Sequence, residues 1–136
     1  MFKTKNRVRM HDTDMAGILY FARQFRFAHD ALEDFSADEG FPFDQIFHKE
    51  NFVFVVVHAE ADYLAPLKVG DALDIDLIIE KIGNSSFTIV YKIYRSVDHL
   101  LVGTAKTVHV TLDATTRKKI DIPPQFRKIL EKHLAS

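Results

Sequence analysis

Between residues 20 and 38 the apolar side chains Phe21, Phe25, Ala28, Leu32 and Phe35 recur at alternating steps of four and three. Arg23, Arg26, Asp30, Glu33 and Asp34 fall off that stripe. A period near 3.6 predicts an amphipathic helix, and Gly40 followed by Pro42 supplies its stop signal.

On either side of this helix the pattern changes. Residues 2–10 alternate weakly and carry Lys3, Lys5, Arg7 and Arg9, the composition of an exposed edge strand. A short helical turn is expected over 43–50. Four runs then follow, at 52–64, 72–81, 87–97 and 100–112, all rich in β-branched and aromatic residues. The breaks between them hold Pro66 with Gly70-Asp71, then Gly83-Asn84-Ser85, then Asp98-His99, each suited to a tight reversal. Successive hairpins imply an antiparallel meander.

Within the second of these runs Leu73, Ile75, Leu77 and Ile79 share one face, while Asp74, Asp76 and Glu80 share the other at least in part. One side of the sheet is therefore buried, and the helix at 20–38 is the only long amphipathic element available to cover it. Pro123-Pro124 opens a last helix with Phe126, Ile129, Leu130 and Leu134 as its stripe. One strand, a long helix, then a sheet wrapped on that helix is an α+β arrangement, and residues 1–136 suffice for one domain.

Composition narrows the functions. The formal net charge is -1 and the basic residues are scattered, so no cationic face tracks a phosphate backbone and nucleic acid is excluded as a partner. Zero cysteines remove disulfides, thiolate zinc sites and cysteine nucleophiles, in agreement with a reducing cytoplasm. The first ten residues lack the apolar core of a signal peptide, and no apolar run reaches membrane-spanning length. No metal is expected, because the seven histidines lack zinc-ligand spacing. Serine chemistry lacks a G-x-S-x-G, and no phosphate-binding glycine loop exists.

What remains is a carboxylate. Asp12-Thr13-Asp14-Met15-Ala16-Gly17 stands just ahead of the helix start, where unpaired N–H groups favour negative charge and can cradle an oxyanion. Asp12 or Asp14 either caps the helix or serves as nucleophile or base. Ser85 and Ser86 sit in a hairpin turn, where hydroxyls cap backbone groups.

The stretch Asp12-Thr13-Asp14-Met15-Ala16-Gly17-Ile18-Leu19-Tyr20-Phe21 resembles the D-x-D-x-x-G-[VI]-x-[YW] signature of the hotdog-fold 4-hydroxybenzoyl-CoA thioesterase-like family. A second block, Tyr63-Leu64-Ala65-Pro66-Leu67-Lys68-Val69-Gly70-Asp71, is similar to that family's Y-x-x-P-x-x-x-G-D. The run from Val56 to Asp62 resembles the branch that includes 1,4-dihydroxy-2-naphthoyl-CoA thioesterases.

The resemblance implies a hotdog fold, a homodimer or homotetramer built by pairing sheet edges, an active site at the dimer interface, acyl-CoA as substrate and no cofactor. It makes Asp14 the catalytic carboxylate, with Gly17 in its loop and the backbone N–H of Phe21 as oxyanion donor. Substrate contacts are then expected from Tyr20, His58 and Tyr63, and from Asn84, Ser85 and Ser86 if that turn is more than an ordinary hairpin. Phe21 stands where many relatives carry Tyr or His, so a side-chain hydrogen bond is lost while the backbone donor survives. A hotdog module that binds acyl-CoA without hydrolysing it is the alternative from another class.

Overall fold

The computed structural model describes residues 1–135, leaving aside the side chains of 47–49 and with them His48. Strand β1 (Phe2–Arg7) leads through a 3-10 turn and a tight hairpin to helix α1 (Gln24–Asp38), itself preceded by a 3-10 turn at Phe21–Arg23. After α2 (Phe43–Lys49) come β2 (Phe52–Tyr63), β3 (Ala72–Ile82), β4 (Ser86–Arg95) and β5 (Leu100–Asp113), then α3 (Pro124–Lys132).

The five strands form one antiparallel sheet in the order β1-β3-β4-β5-β2. Only β3, β4 and β5 make the expected meander. Strand β2 does not neighbour β3; it crosses to the far edge and pairs with β5 from Phe52 opposite Asp113 to Tyr63 opposite Gly103. The Pro66 to Asp71 segment, expected as a hairpin, instead runs across one end of the sheet. Gly70 adopts φ +92, which a side chain would strain, and its N–H donates to Val8 O at 2.9 Å.

Alternation works as the pattern predicts. Leu73, Ile75, Leu77 and Ile79 of β3, with Phe87, Ile89, Tyr91 and Ile93 of β4, face α1 and are buried. From the helix they meet Phe27, Ala31, Leu32 and Phe35, also buried. Each such side chain contributes roughly 1.5–3 kcal/mol on leaving water, so this layer is the main source of stability. The helix stripe is rotated from the sequence expectation, because Phe27 and Ala31 lie under the sheet whereas Phe21 is 62% exposed and Phe25 half-buried. α3 closes the remaining end of the core through Phe126, Ile129 and Leu130.

Strand β2 stands apart. It carries an extra residue between Val56 and His58, so that two residues oppose His109, and residues 55–60 are all exposed.

Candidate active site

The two sequence motifs meet at one end of the sheet. Thr13 bridges to Leu19, closing a hairpin around residues 14–18, and Ile18 bridges in turn to Lys68. The N–H of Leu19 donates to Leu67 O at 2.8 Å, so the second motif's Pro66 to Asp71 segment forms the hairpin's floor.

Asp12 is the anchor of this hairpin. It is completely buried and takes two hydrogen bonds from Arg26 of α1, at 2.7 and 2.5 Å, and one from the N–H of Arg9 at 2.8 Å. Arg26 also reaches Asp30 at 2.8 Å and Arg7 O at 2.9 Å. Burial pushes the Asp12 carboxyl up, but the Arg26 and Arg9 hydrogen bonds and the neighbouring positive charges outweigh it, holding the group below its ordinary value. A forked guanidinium suits a carboxylate in this way.

The head of α1 is fixed just as firmly. Gln24 is buried, and its amide donates at 2.9 Å to both Asp62 O of β2 and Thr104 O of β5. That amide lies on Gly103, where a Cβ would come within 2.6 Å of it. Tyr63 donates its hydroxyl to Phe21 O at 2.6 Å, and burial pushes its phenol up, which keeps the donor protonated. The Phe21 N–H, first of the helical turn, has no hydrogen-bond partner among the described residues. It stands beside a groove of about 350 Å³ lined by Ile18, Leu19, Phe21, Tyr63, Ala65 and Leu67.

Asp14 occupies the hairpin's turn rather than the first position of a helix. Its N–H donates to Ile18 O, its carbonyl accepts from Gly17, and its Oδ1 accepts from the Ala16 N–H at 2.8 Å. Gly17 takes φ +79, the left-handed backbone the turn needs. The Asp14 side chain is exposed, and its second oxygen has no partner among the described residues.

Other residues named from sequence are distributed unevenly. The Tyr20 and Phe21 rings lie 5.0 Å apart at the groove's rim. His58 pairs in register with Val108, on the face of the sheet away from α1, and approaches Glu60 at 3.4 Å. Asn84, Ser85 and Ser86 lie at the opposite end of β3 from the hairpin. There Arg127 binds Gly83 O, Ile122 N–H binds Asn84 O, and Thr111 N–H binds Ser85 O. Among the described residues no three His, Asp or Glu side chains are grouped so as to hold a metal, and no helix is long and apolar enough to cross a membrane.

Sequence reading had no signal for Gln24 or Arg26 as site-building residues. A glycine inside a strand, Gly103, marks a close approach and was the available cue.

A helix head clamped to a sheet, with an unpaired N–H at that head and an apolar groove next to it, fits the fold of a hotdog thioester hydrolase. Residues 8–130 match the model of the Thioesterase-like superfamily, and the chain belongs to that family. It is 39% identical over 129 residues, covering 94% of this chain and 86% of the other, to a 1,4-dihydroxy-2-naphthoyl-CoA hydrolase of Nostoc punctiforme. A protein of the same name from Synechococcus elongatus is 34% identical over 125 residues, covering 91% and 90% of the two chains. Among solved structures, a 1,4-dihydroxy-2-naphthoyl-CoA thioesterase from Synechocystis superposes with a TM-score of 0.88 at 29% identity, covering 95% and 94%.

Proposed function

We propose that this chain hydrolyses aromatic acyl-CoA thioesters, 1,4-dihydroxy-2-naphthoyl-CoA foremost, with Asp14 as nucleophile or general base. The observation that carries the reading is the unpaired Phe21 N–H at a helix head held by Gln24 and Tyr63. The substrate carbonyl takes that N–H, and Asp14 either attacks the thioester carbon or removes a proton from the attacking water. In the first case an acyl-aspartyl anhydride forms as CoA leaves as its thiolate, and water then cleaves it. In the second, hydroxide adds and the tetrahedral oxyanion collapses to acid and thiolate. Developing oxyanion charge is stabilised by the N–H and by the helix head's partial positive charge.

A second copy of the chain completes the site in this reading. The outer edge of β2 is unpaired and carries Val55, Val56 and Val57, which are 39%, 55% and 58% exposed, a sheet edge that invites pairing. Antiparallel pairing of two β2 edges sets each protomer's Tyr63 end beside its partner's Phe52 end. The Asn84–Ser86 turn lies at that second end, since Ser86 pairs with Val110 and Phe52 with Asp113. Within one protomer the 11 residues of β3 separate turn and hairpin by roughly 36 Å, too far for one substrate to contact both ends comfortably; the dimer shortens this span. The cysteine-free chain suits a reducing cytoplasm.

Thiol release from 1,4-dihydroxy-2-naphthoyl-CoA and from aliphatic acyl-CoAs tests the reading. Turnover is expected with the aromatic ester and is lowered about a hundredfold by Asp14→Asn. Wild-type turnover by a folded Asp14→Asn protein would overturn it.

A further inference from the structure

One helical turn beyond Phe21, α1 and the sheet enclose a second, largely apolar cavity of about 190 Å³. Phe25 and Leu32 of α1, Val56 and Ala59 of β2, and Thr107 and His109 of β5 form most of its wall. Whole ligands fill pockets of about 300–1,000 Å³, so this volume suits part of one. It equals about six water volumes at ~30 Å³ each, room for a one- or two-ring group. The cavity's β2 wall is the place where the extra residue opposes His109.

Its polar content is concentrated in one hydrogen-bonded chain. The Tyr91 hydroxyl lies 3.1 Å from Thr107 Oγ1, and Thr107 Oγ1 lies 2.8 Å from His109 Nε2. His109 is 1% exposed, stacked on Phe87 at 4.8 Å and set edge-on to Phe54 at 5.6 Å, so its ring is held in place. Its Nδ1 is buried without a partner. Burial, and next the charge of His29, push the imidazole down to about 4, so it is neutral at physiological pH.

A neutral imidazole carries one proton, and the chain decides where. Tyr91 is buried with Thr107 as the side-chain partner of its hydroxyl, so Tyr91 satisfies its own proton only by donating to Thr107 Oγ1. Thr107 then donates to Nε2, which leaves the proton on Nδ1. The opposite direction would strand the Tyr91 proton and costs more. The result is a buried, unpaired N–H donor on a residue of the cavity wall.

We propose that His109 is the specificity-determining residue of this protein, its Nδ1–H donating to a ring oxygen of an aryl acyl group seated in the cavity. This inference rests on the hydrolase reading above and deepens it. Following α1 from Phe21 to Phe25 and on to Leu32, the thioester lies at the helix head and the ring runs along the helix. A ring hydroxyl then accepts from His109, with its own proton turned toward the cavity mouth, where His29 is exposed to solvent. Arenes lacking that oxygen leave Nδ1–H unpaired and are discriminated against.

Equilibrium binding of the free acids 2-naphthoate and 4-hydroxy-2-naphthoate, with kcat/KM for their CoA esters, tests the assignment. Wild type is expected to favour the hydroxylated member of each pair about tenfold. His109→Phe, which keeps a ring on Phe87, is expected to erase the preference, read as the ratio of the hydroxylated to the unsubstituted value in the same protein. If that variant fails to fold, Thr107→Val releases the tautomer and is expected to weaken the preference instead. An undiminished preference in either folded variant overturns the assignment. Hydrolysis of both esters without preference by wild type overturns it and leaves the hydrolase reading standing. Preferential binding without hydrolysis of either ester does the reverse.

Discussion

Asp12 and Asp14 are the same side chain two residues apart, and the fold gives them opposite surroundings. Asp12 is fully buried and takes hydrogen bonds from the Arg26 guanidinium and the Arg9 N–H, whereas Asp14 is exposed with one turn N–H as its side chain's hydrogen-bond partner. An ion pair so complete cannot change its charge or its bonds during a reaction without loosening the hairpin. The free oxygen of Asp14 can. Under the proposed mechanism stability and chemistry are thus divided between neighbours, one holding the loop so that the other is presented in a fixed place.

The largest expected effect comes from the buried member. Asp12→Ala leaves Arg26 without its main partner in a largely desolvated place, and breaking such a pair costs about 3 kcal/mol of folding stability, readable by urea denaturation. Its pH dependence has a fixed sign. The folded-state value of Asp12 is depressed, so its contribution is fully present above the unfolded carboxylate value of about 3.9 and is lost as pH falls through the lower folded value. Wild type is expected to lose stability there more steeply than Asp12→Asn. Equal acid limbs for the two proteins would break the division of labour.

Asp14→Asn is its complement. Turnover is expected to fall about a hundredfold, near 2.7 kcal/mol of transition-state energy, while stability is expected to move within about 0.5 kcal/mol, as at other exposed positions. Should Asp14→Asn unfold the protein while Asp12→Asn spares folding and abolishes turnover, the two roles would be exchanged.

Spacing alone did not separate these two residues. What buries Asp12 is Arg26, fourteen positions away, which reads in the sequence as one more charge off the helix stripe. The helix, the strands and the antiparallel α+β plan were legible because their periods are local: four-and-three for 20–38, two for 72–79. The place of β2 was not, since its pairing with β5 is long-range and the Pro66-Gly70-Asp71 composition serves a crossing segment as readily as a hairpin. Periodicity likewise groups Phe21, Phe25, Ala28 and Leu32 on one side of the helix without saying where the sheet ends. Phe21 stands at the groove, and Phe25, Ala28 and Leu32 face the cavity between helix and sheet.

The comparison extends to the helix head, where a smaller effect is expected. In Gly103→Ala the added methyl meets the Gln24 amide, which is tied by two 2.9 Å hydrogen bonds and has nowhere exposed to go. Losing those bonds costs about 1–3 kcal/mol. Because the Phe21 N–H rides on the same turn, kcat is expected to fall along with Tm, unlike either aspartate variant, which moves mainly one of the two. A Tm drop with kcat unchanged would show that the donor's position does not depend on the clamp.

Tyr63→Phe is the mildest of the set and the most informative about that donor. It deletes one hydrogen bond, hydroxyl to Phe21 O at 2.6 Å, and leaves ring, strand and groove intact. One such bond at a half-exposed position contributes about 1 kcal/mol, roughly a fivefold effect. If Tyr63 only braces the groove, the loss appears in KM. If it sets the angle of the first helical turn, and with it the aim of the Phe21 N–H, the loss appears in kcat, because a misaligned oxyanion donor is felt more in the transition state than in the bound substrate. The site's geometry predicts the second, since the hydroxyl holds the carbonyl of the very residue whose N–H is the proposed oxyanion donor. A fivefold rise in KM at constant kcat would assign Tyr63 to substrate binding instead.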